Sequence, residues 1–69
     1  MSEHNPRRIL IADDEPLARE RLRRLVEALE GYIVCGEADD GAATLQAVAE
    51  QNPDIVLLDI RMPGMDGMQ

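Results

Sequence analysis

Two short apolar runs that end in acidic residues constrain the fold of this chain more than any other feature. Residues 9–12 lead into Asp13 and Asp14, and residues 55–58 lead into Asp59. Neither run alternates apolar with polar residues, so we expect strands covered on both faces, as in a parallel sheet flanked by helices. Parallel strands end at the same edge of a sheet, where open α/β folds bind ligands. The three carboxylates are therefore predicted to converge.

The sequence between these runs predicts two helices and a further strand. Pro16 suits the first turn of one helix and Gly31 its end. Residues 32–38 predict a short strand, and a turn at residues 39–41 begins a second helix that ends before Pro53. The order β-α-β-α-β with right-handed crossovers predicts an α/β, doubly wound parallel sheet. We expect only the first half of such a domain in this chain.

Helical spacing predicts an apolar side on each helix. On the first helix that stripe comprises Leu22, Leu25, Val26 and Leu29. On the second helix it comprises Ala42, Leu45, Val48 and Ala49. Leu17, Arg21 and Arg24 lie on another side of the first helix, which we expect to face solvent.

Composition excludes several classes of function. Fourteen acidic residues against seven basic ones leave a net charge of −7, which disfavours direct binding of nucleic acid. No segment approaches the roughly 18 apolar residues of a membrane helix, so no membrane association is expected. The single cysteine, Cys35, is expected to be a buried apolar thiol, which fits a reducing cytoplasm. Residues 1–7 are expected to be flexible.

Three converging carboxylates indicate a site for a divalent cation. Their mutual repulsion is relieved most simply by a hard cation, Mg²⁺ or Mn²⁺, and Mg²⁺ is commonly bound by one or two carboxylates plus waters near phosphate. A carboxylate can also act as a nucleophile and form an aspartyl-phosphate. Asp59 suits that role because it ends the strand that we expect to be central in the sheet, whereas Asp13 and Asp14 suit metal binding.

The chain resembles the N-terminal part of the receiver domain of bacterial two-component response regulators. The resemblance rests on three motifs in order and spacing, at residues 13–16 (Asp-Asp-Glu-Pro), 37–41 (Glu-Ala-Asp-Asp-Gly) and 53–67, which contains Asp59. It implies a flavodoxin-like fold. Residues 15–22 are further similar to regulators that carry a LytTR-type DNA-binding output domain.

The resemblance implies a role for each site residue. Asp59 would be the phosphoacceptor, Asp13 and Asp14 the Mg²⁺-holding pair, and the backbone carbonyl of Arg61 a further metal ligand. The phosphoryl donor would be a phosphohistidine on a sensor histidine kinase, which makes the module a phosphoacceptor rather than an enzyme. If the first helix contacts that kinase, the resemblance implies that Leu17 and Arg21 face it.

The chain also departs from the family pattern. Receiver domains use a Ser or Thr on a fourth strand and a Lys on a fifth to bind the phosphoryl oxygens. This sequence contains no lysine, and its single Thr and single Ser are Thr44, on the second helix, and Ser2. We therefore expect these 69 residues to lack normal signalling.

Two alternatives to a signalling module stay open at this point. An aspartyl-nucleophile phosphohydrolase of the haloacid dehalogenase type would need a second Asp two residues after Asp59, where this chain has Arg61. The other alternative is a fragment that acts only in assembly. The third strand would then expose an apolar edge, and such edges recruit other strands, so we expect a homo-oligomer.

Overall fold

The structure, a computed structural model, describes residues 5–59. Five elements follow one another along the chain: β1 (Arg7–Asp13), α1 (Pro16–Glu27), β2 (Tyr32–Ala38), α2 (Gly41–Gln51) and β3 (Ile55–Asp59). The three strands form a parallel sheet in the order β2-β1-β3. The predicted βαβαβ fold is therefore confirmed. Arg7 is the first residue of β1, and residues 1–4 of the predicted flexible segment lie outside the described residues.

Strand β1 is the central strand of the sheet formed by residues 5–59 and the centre of the core, so the prediction that the strand ending in Asp59 is central was wrong for these residues. Ile9 and Ile11 pack with Val26 of α1, and all three are at most 4% exposed. The alternate residue Leu10 is fully buried on the opposite face of the sheet, where it approaches Gly36 of β2. An all-apolar strand suits this position because both of its faces are covered.

Arg8 ties the end of α2 to the sheet. Its guanidinium donates hydrogen bonds to the backbone carbonyls of Gln51 and Asn52 and to the Gln51 side chain. The Arg8 backbone N–H donates to an Asp54 carboxylate oxygen at 2.8 Å, and its carbonyl accepts from the Asp54 N–H at 2.8 Å. Since Asp54 directly precedes β3, these bonds align β3 with β1 and thereby determine which residues meet at the far ends of the two strands.

Both ends of α2 are capped, and the helix lies between the predicted turn at residues 39–41 and Pro53. At its start the Asp40 carboxylate accepts a hydrogen bond from the Ala43 N–H at 2.7 Å. At its end Asn52 adopts the left-handed conformation, with φ of 51°. Helix α1 ends at Glu27, earlier than Gly31 suggested. Gly31 lies in the following turn with φ of 89°, where its carbonyl accepts a hydrogen bond from the Arg7 N–H.

The predicted apolar side of α2 was wrong. Leu45 is 74% exposed, and Ala42, Val48 and Ala49 are exposed as well. The residue that α2 buries is Thr44, whose hydroxyl donates to the Asp40 carbonyl at 2.7 Å. The helix packs over β2 and β1 with its small residues, so its larger apolar side chains point away from these strands.

Three other burial predictions also need correction. In α1, Val26 is buried and Leu22 packs on the core, but Leu25 is exposed. Leu29, predicted to lie on the same apolar stripe, is also exposed and lies beyond the end of the helix. Strand β3 is only half-covered, with Val56 and Leu58 exposed, because both helices pack over β1 and β2. Cys35 is half-buried, at a place where the β1–β2 pairing skips one residue.

In the part of the chain that the structure describes, neither helix is long and apolar enough to cross a membrane.

Candidate functional site

The acidic residues meet at the carboxyl-terminal edge of the sheet. Asp13 and Asp59 are the last residues of β1 and β3, and they are direct partners in the parallel register. Neighbouring strands lie about 4.8 Å apart, so the two backbones are adjacent. A cleft of about 390 Å³ is lined by Asp13, Asp14, Glu15, Ala18 and Asp59. The structure thus brings the three predicted carboxylates around one cleft.

The three carboxylates differ in their access to solvent. Asp13 is 3% exposed, and one of its carboxylate oxygens accepts a hydrogen bond from the Glu15 N–H at 2.9 Å. Asp14 and Asp59 are exposed. Asp13 therefore forms a fixed wall of the cleft, whereas Asp59 can be reached by an incoming group.

Helix α1 begins beside this cleft. Pro16 occupies its first turn, where the missing N–H costs nothing, and Ala18 lines the cleft with a small side chain. The amino end of a helix carries a partial positive charge that favours anions. This partial charge offsets part of the negative charge of the four acidic side chains that line the cleft.

The donor chemistry of the cleft suits a hard divalent cation. Among residues 5–59 no three His, Cys, Asp or Glu side chains are placed to hold one metal ion together. Mg²⁺ does not require such a group, because it retains several waters and binds through one or two carboxylates. The carboxylates of Asp14 and Asp59 are exposed. Arg61, whose carbonyl was predicted as a further ligand, lies outside the described residues.

A network of two arginines and two glutamates adjoins the acidic cleft. Arg19 of α1 donates to the backbone carbonyl of Asp13 at 2.8 Å and to the Glu37 carboxylate at 3.2 Å. Arg23 donates to the other oxygen of Glu37 at 2.6 Å, and it also pairs with Glu27 at 3.2 Å. The hydrogen bond to Glu37, assisted by Glu27, raises the pKa of the Arg23 guanidinium. The network joins the ends of β1 and β2 to α1.

Sequence reasoning missed Arg19 and Glu37. It assigned Arg21 and Arg24 to a side of the first helix that faces solvent and gave Arg19 no role, whereas the Arg19 side chain is only 20% exposed. The i,i+4 spacing of Arg19 and Arg23 places both on the side of α1 that faces β2. That spacing, together with a glutamate near the end of β2, was the signal in the sequence from which the contact between α1 and β2 could have been predicted.

A separate face of α1 is open to solvent, as predicted. Leu17 is 69% exposed, and it lines a shallow groove with Glu20, Arg21 and Arg24. Arg24 pairs with Glu20 at 2.9 Å on this face. Leu17 and Arg21, the residues expected to face a kinase, are thus accessible and lie apart from the cleft lining.

Comparison with known proteins decides the family. The family model described as the response regulator receiver domain matches residues 9–69. The chain belongs to this family. The observed strand order and the acidic cleft are consistent with that assignment.

Relatives support the same assignment. The chain is 60% identical over 62 residues to the positive alginate biosynthesis regulatory protein of Pseudomonas aeruginosa. This match covers 88% of this chain and 25% of that protein. The signal receiver domain of NarL from Mycobacterium tuberculosis is 48% identical, with a TM-score of 0.81, and the match covers 94% of this chain and 52% of that one. RcsB from Salmonella enterica, solved bound to a promoter, is 29% identical, with a TM-score of 0.76 over 86% of this chain and 29% of that one.

The chain spans about a quarter of the length of the first curated relatives that it matches. These include regulators of the NarL type, so the suggested LytTR-type output domain is not supported.

Proposed function

We propose that this chain is the phosphoacceptor module of a two-component signalling system, phosphorylated on Asp59. The observation that carries the proposal is the register that sets Asp59 beside Asp13 at one end of the parallel sheet, in a cleft that Asp14 also lines. Membership of the receiver family supports the same role. Of the two strand-end carboxylates, Asp59 is the exposed one, which favours it over Asp13 as the nucleophile.

The transfer would proceed by attack of an Asp59 carboxylate oxygen on the phosphorus atom of a phosphohistidine. The new O–P bond forms as the N–P bond breaks, and the histidine nitrogen keeps the electron pair and takes up a proton. The cleft contributes position and electrostatics, which dominate phosphoryl transfer. The amino end of α1, beside the cleft, would favour the incoming negative charge.

Asp13, Asp14 and Asp59, with the backbone carbonyl of Arg61, would hold Mg²⁺ or Mn²⁺. When bound, the cation neutralises charge that develops on the phosphoryl oxygens. Buried Asp13 would act mainly by shaping the site, since its accessible area is small and one oxygen is engaged by the Glu15 N–H.

The partners follow from the family. A sensor histidine kinase in the cytoplasm would donate the phosphoryl group and contact the exposed face of α1 that carries Leu17 and Arg21. The whole protein would regulate transcription through an output domain, because the curated relatives include a transcriptional regulatory protein. Direct DNA contact by residues 1–69 is disfavoured by the net charge of −7.

Phosphorylation by a small-molecule donor tests the proposal. Acetyl phosphate with Mg²⁺ should add one phosphoryl group to residues 1–69, detected by intact mass, but far more slowly than to a completed receiver domain, because these residues contain no lysine to bind the phosphoryl oxygens. Hydroxylamine should remove the group, because acyl phosphates are labile to this reagent. Asp59→Asn should abolish the addition. Asp39→Asn, which alters an exposed carboxylate away from the cleft, is the matched control and should leave it intact. Unchanged labelling of Asp59→Asn would refute the assignment.

A second candidate function is supported by the exposure of β3. Val56 and Leu58 are 37% and 62% exposed, and within residues 5–59 the outer edge of β3 has no strand partner. Open edges with apolar side chains pair with other strands. We therefore also propose that residues 1–69 by themselves form a homo-oligomer through β3, and that such a fragment could act in assembly without phosphotransfer.

A further inference from the structure

Arg19 holds the peptide unit that joins two of the site carboxylates. Its guanidinium donates to the backbone carbonyl of Asp13 at 2.8 Å, and that carbonyl belongs to the peptide between Asp13 and Asp14. Because a peptide unit is planar, fixing the direction of the carbonyl also fixes the N–H of Asp14 and the path of the chain into its Cα. The Arg19 side chain, six residues from Asp13 along the sequence, thus fixes the conformation of the backbone at the cleft.

The remaining contacts around this peptide leave it little freedom. The Asp13 carboxylate is held by the Glu15 N–H at 2.9 Å, and the Arg19 N–H donates to the Glu15 carbonyl at 3.0 Å. Asp13 itself is 3% exposed. A buried carbonyl that lost its donor would keep the cost of desolvation without the hydrogen bond, so removal of Arg19 should make this peptide reorient.

Arg19 is itself anchored from a third element. Glu37 of β2 accepts from Arg19 at 3.2 Å and from Arg23 at 2.6 Å. A guanidinium has several donors in a planar fork, so it can bond the carbonyl and the carboxylate at once. The ion pair with Glu37 holds that fork in one orientation, and Arg23 in turn holds Glu37.

We propose that Arg19 is a positioning residue, anchored by Glu37, that orients the Asp13–Asp14 peptide and so directs the two carboxylates at the cleft. The consequence for Mg²⁺ rests on the proposed function, whereas the effect on the peptide does not. Residues that orient metal ligands typically change metal affinity by about 10–100-fold when mutated. We expect Arg19→Gln to weaken Mg²⁺ binding about tenfold, near the lower limit of that range, since Arg19 touches only the backbone of the ligands.

The test compares variants of the full chain whose fold is first checked by circular dichroism. Arg24→Gln is the matched control, because it removes the same charge from the same helix but breaks only the exposed pair with Glu20. Mg²⁺ affinity is measured by calorimetry. In the metal-free protein, NMR measures the carbonyl carbon shift of Asp13 and the amide shift and hydrogen exchange of Asp14.

Arg19→Gln should move the Asp13 and Asp14 resonances and weaken Mg²⁺ binding, whereas Arg24→Gln should leave both unchanged. Arg19→Lys keeps the charge but loses the fork, so it should show an intermediate effect. Glu37→Gln should shift the same resonances in the same direction, and added to Arg19→Gln it should have no further effect on them. If Arg19→Gln does not fold, Arg19→Lys and Glu37→Gln are used to test the proposal instead.

Two results separate this inference from the proposed function. The first is that, without metal, the Asp13 and Asp14 resonances are the same in the wild type, Arg19→Gln and Glu37→Gln. This result would overturn the positioning role and would not affect the proposed function. Absence of Mg²⁺ binding by the wild type, together with shifted resonances in Arg19→Gln, would support the positioning role and refute the metal site.

Discussion

The close approach of Leu10 to Gly36 gives a prediction that can be worked from distances. A Cβ added at Gly36 would lie 3.2 Å from Leu10 Cδ1 and 3.8 Å from Gln51 Cγ. Leu10 is fully buried, so it has little room to move away. Overpacking of this kind costs about 1–3 kcal/mol, and the reduced freedom of the unfolded chain returns about 0.4–1 kcal/mol. Gly36→Ala should therefore destabilise the fold by up to about 2.6 kcal/mol, with a mid-range value of about 1.3 kcal/mol.

Leu10→Ala alone should cost about 2–5 kcal/mol because it leaves a cavity in the core. In that background the clash at Gly36 disappears, and the added methyl group fills part of the cavity. The double variant should therefore be no less stable than Leu10→Ala alone, which is strong non-additivity for residues in contact. Urea unfolding of the four proteins measures the coupling.

Gly31→Ala is the internal control. Among residues 5–59, apart from Gly31 itself and its two neighbours in the chain, no atom lies within 4 Å of the Cβ position at Gly31, but its φ of 89° is unfavourable for a residue with a side chain. Gly31→Ala should lower the free energy of unfolding by about 1–2 kcal/mol through backbone strain. This loss should be additive with the loss caused by Leu10→Ala, because the two residues are not coupled. Additive effects of Gly36→Ala and Leu10→Ala would refute the packing argument.

Three further outcomes follow from the structure. Calorimetry should detect weak heat from Mg²⁺ or Mn²⁺ that is lost in an Asp14→Ala, Asp59→Ala double variant, and equal heats would rule out the site. Residues 1–69 should sediment as an oligomer that Val56→Lys dissociates, and a cooperatively melting monomer of the unaltered protein would contradict pairing through β3. Asp40→Ala should cost about 1 kcal/mol in urea unfolding by loss of the α2 cap, and no change in stability would show that the bond to the Ala43 N–H contributes little.

Much of the fold and the placement of the candidate site could be predicted from local sequence. The unbroken apolar run before Asp13 predicted a strand covered on both faces, and residues 9–12 are at most 4% exposed. Parallel strands must end at a common edge, so acidic residues at their ends had to meet, as the register of Asp13 with Asp59 shows. The turn at residues 39–41 and Pro53 marked the ends of α2, because helix ends depend on local backbone geometry.

Tertiary structure decided which helical faces are buried and what surrounds the acidic residues. Helical periodicity identified an apolar side of α2 but not the strands beneath the helix, and Leu45 lies on the exposed side. The bonds from Arg19 to Asp13 and Glu37 join three elements, and the Arg19–Glu37 pair spans 18 residues. Such contacts depend on how α1 lies across the sheet. Local sequence therefore determined the strands and the position of the acids, whereas the packing of helices on the sheet determined how those acids are held.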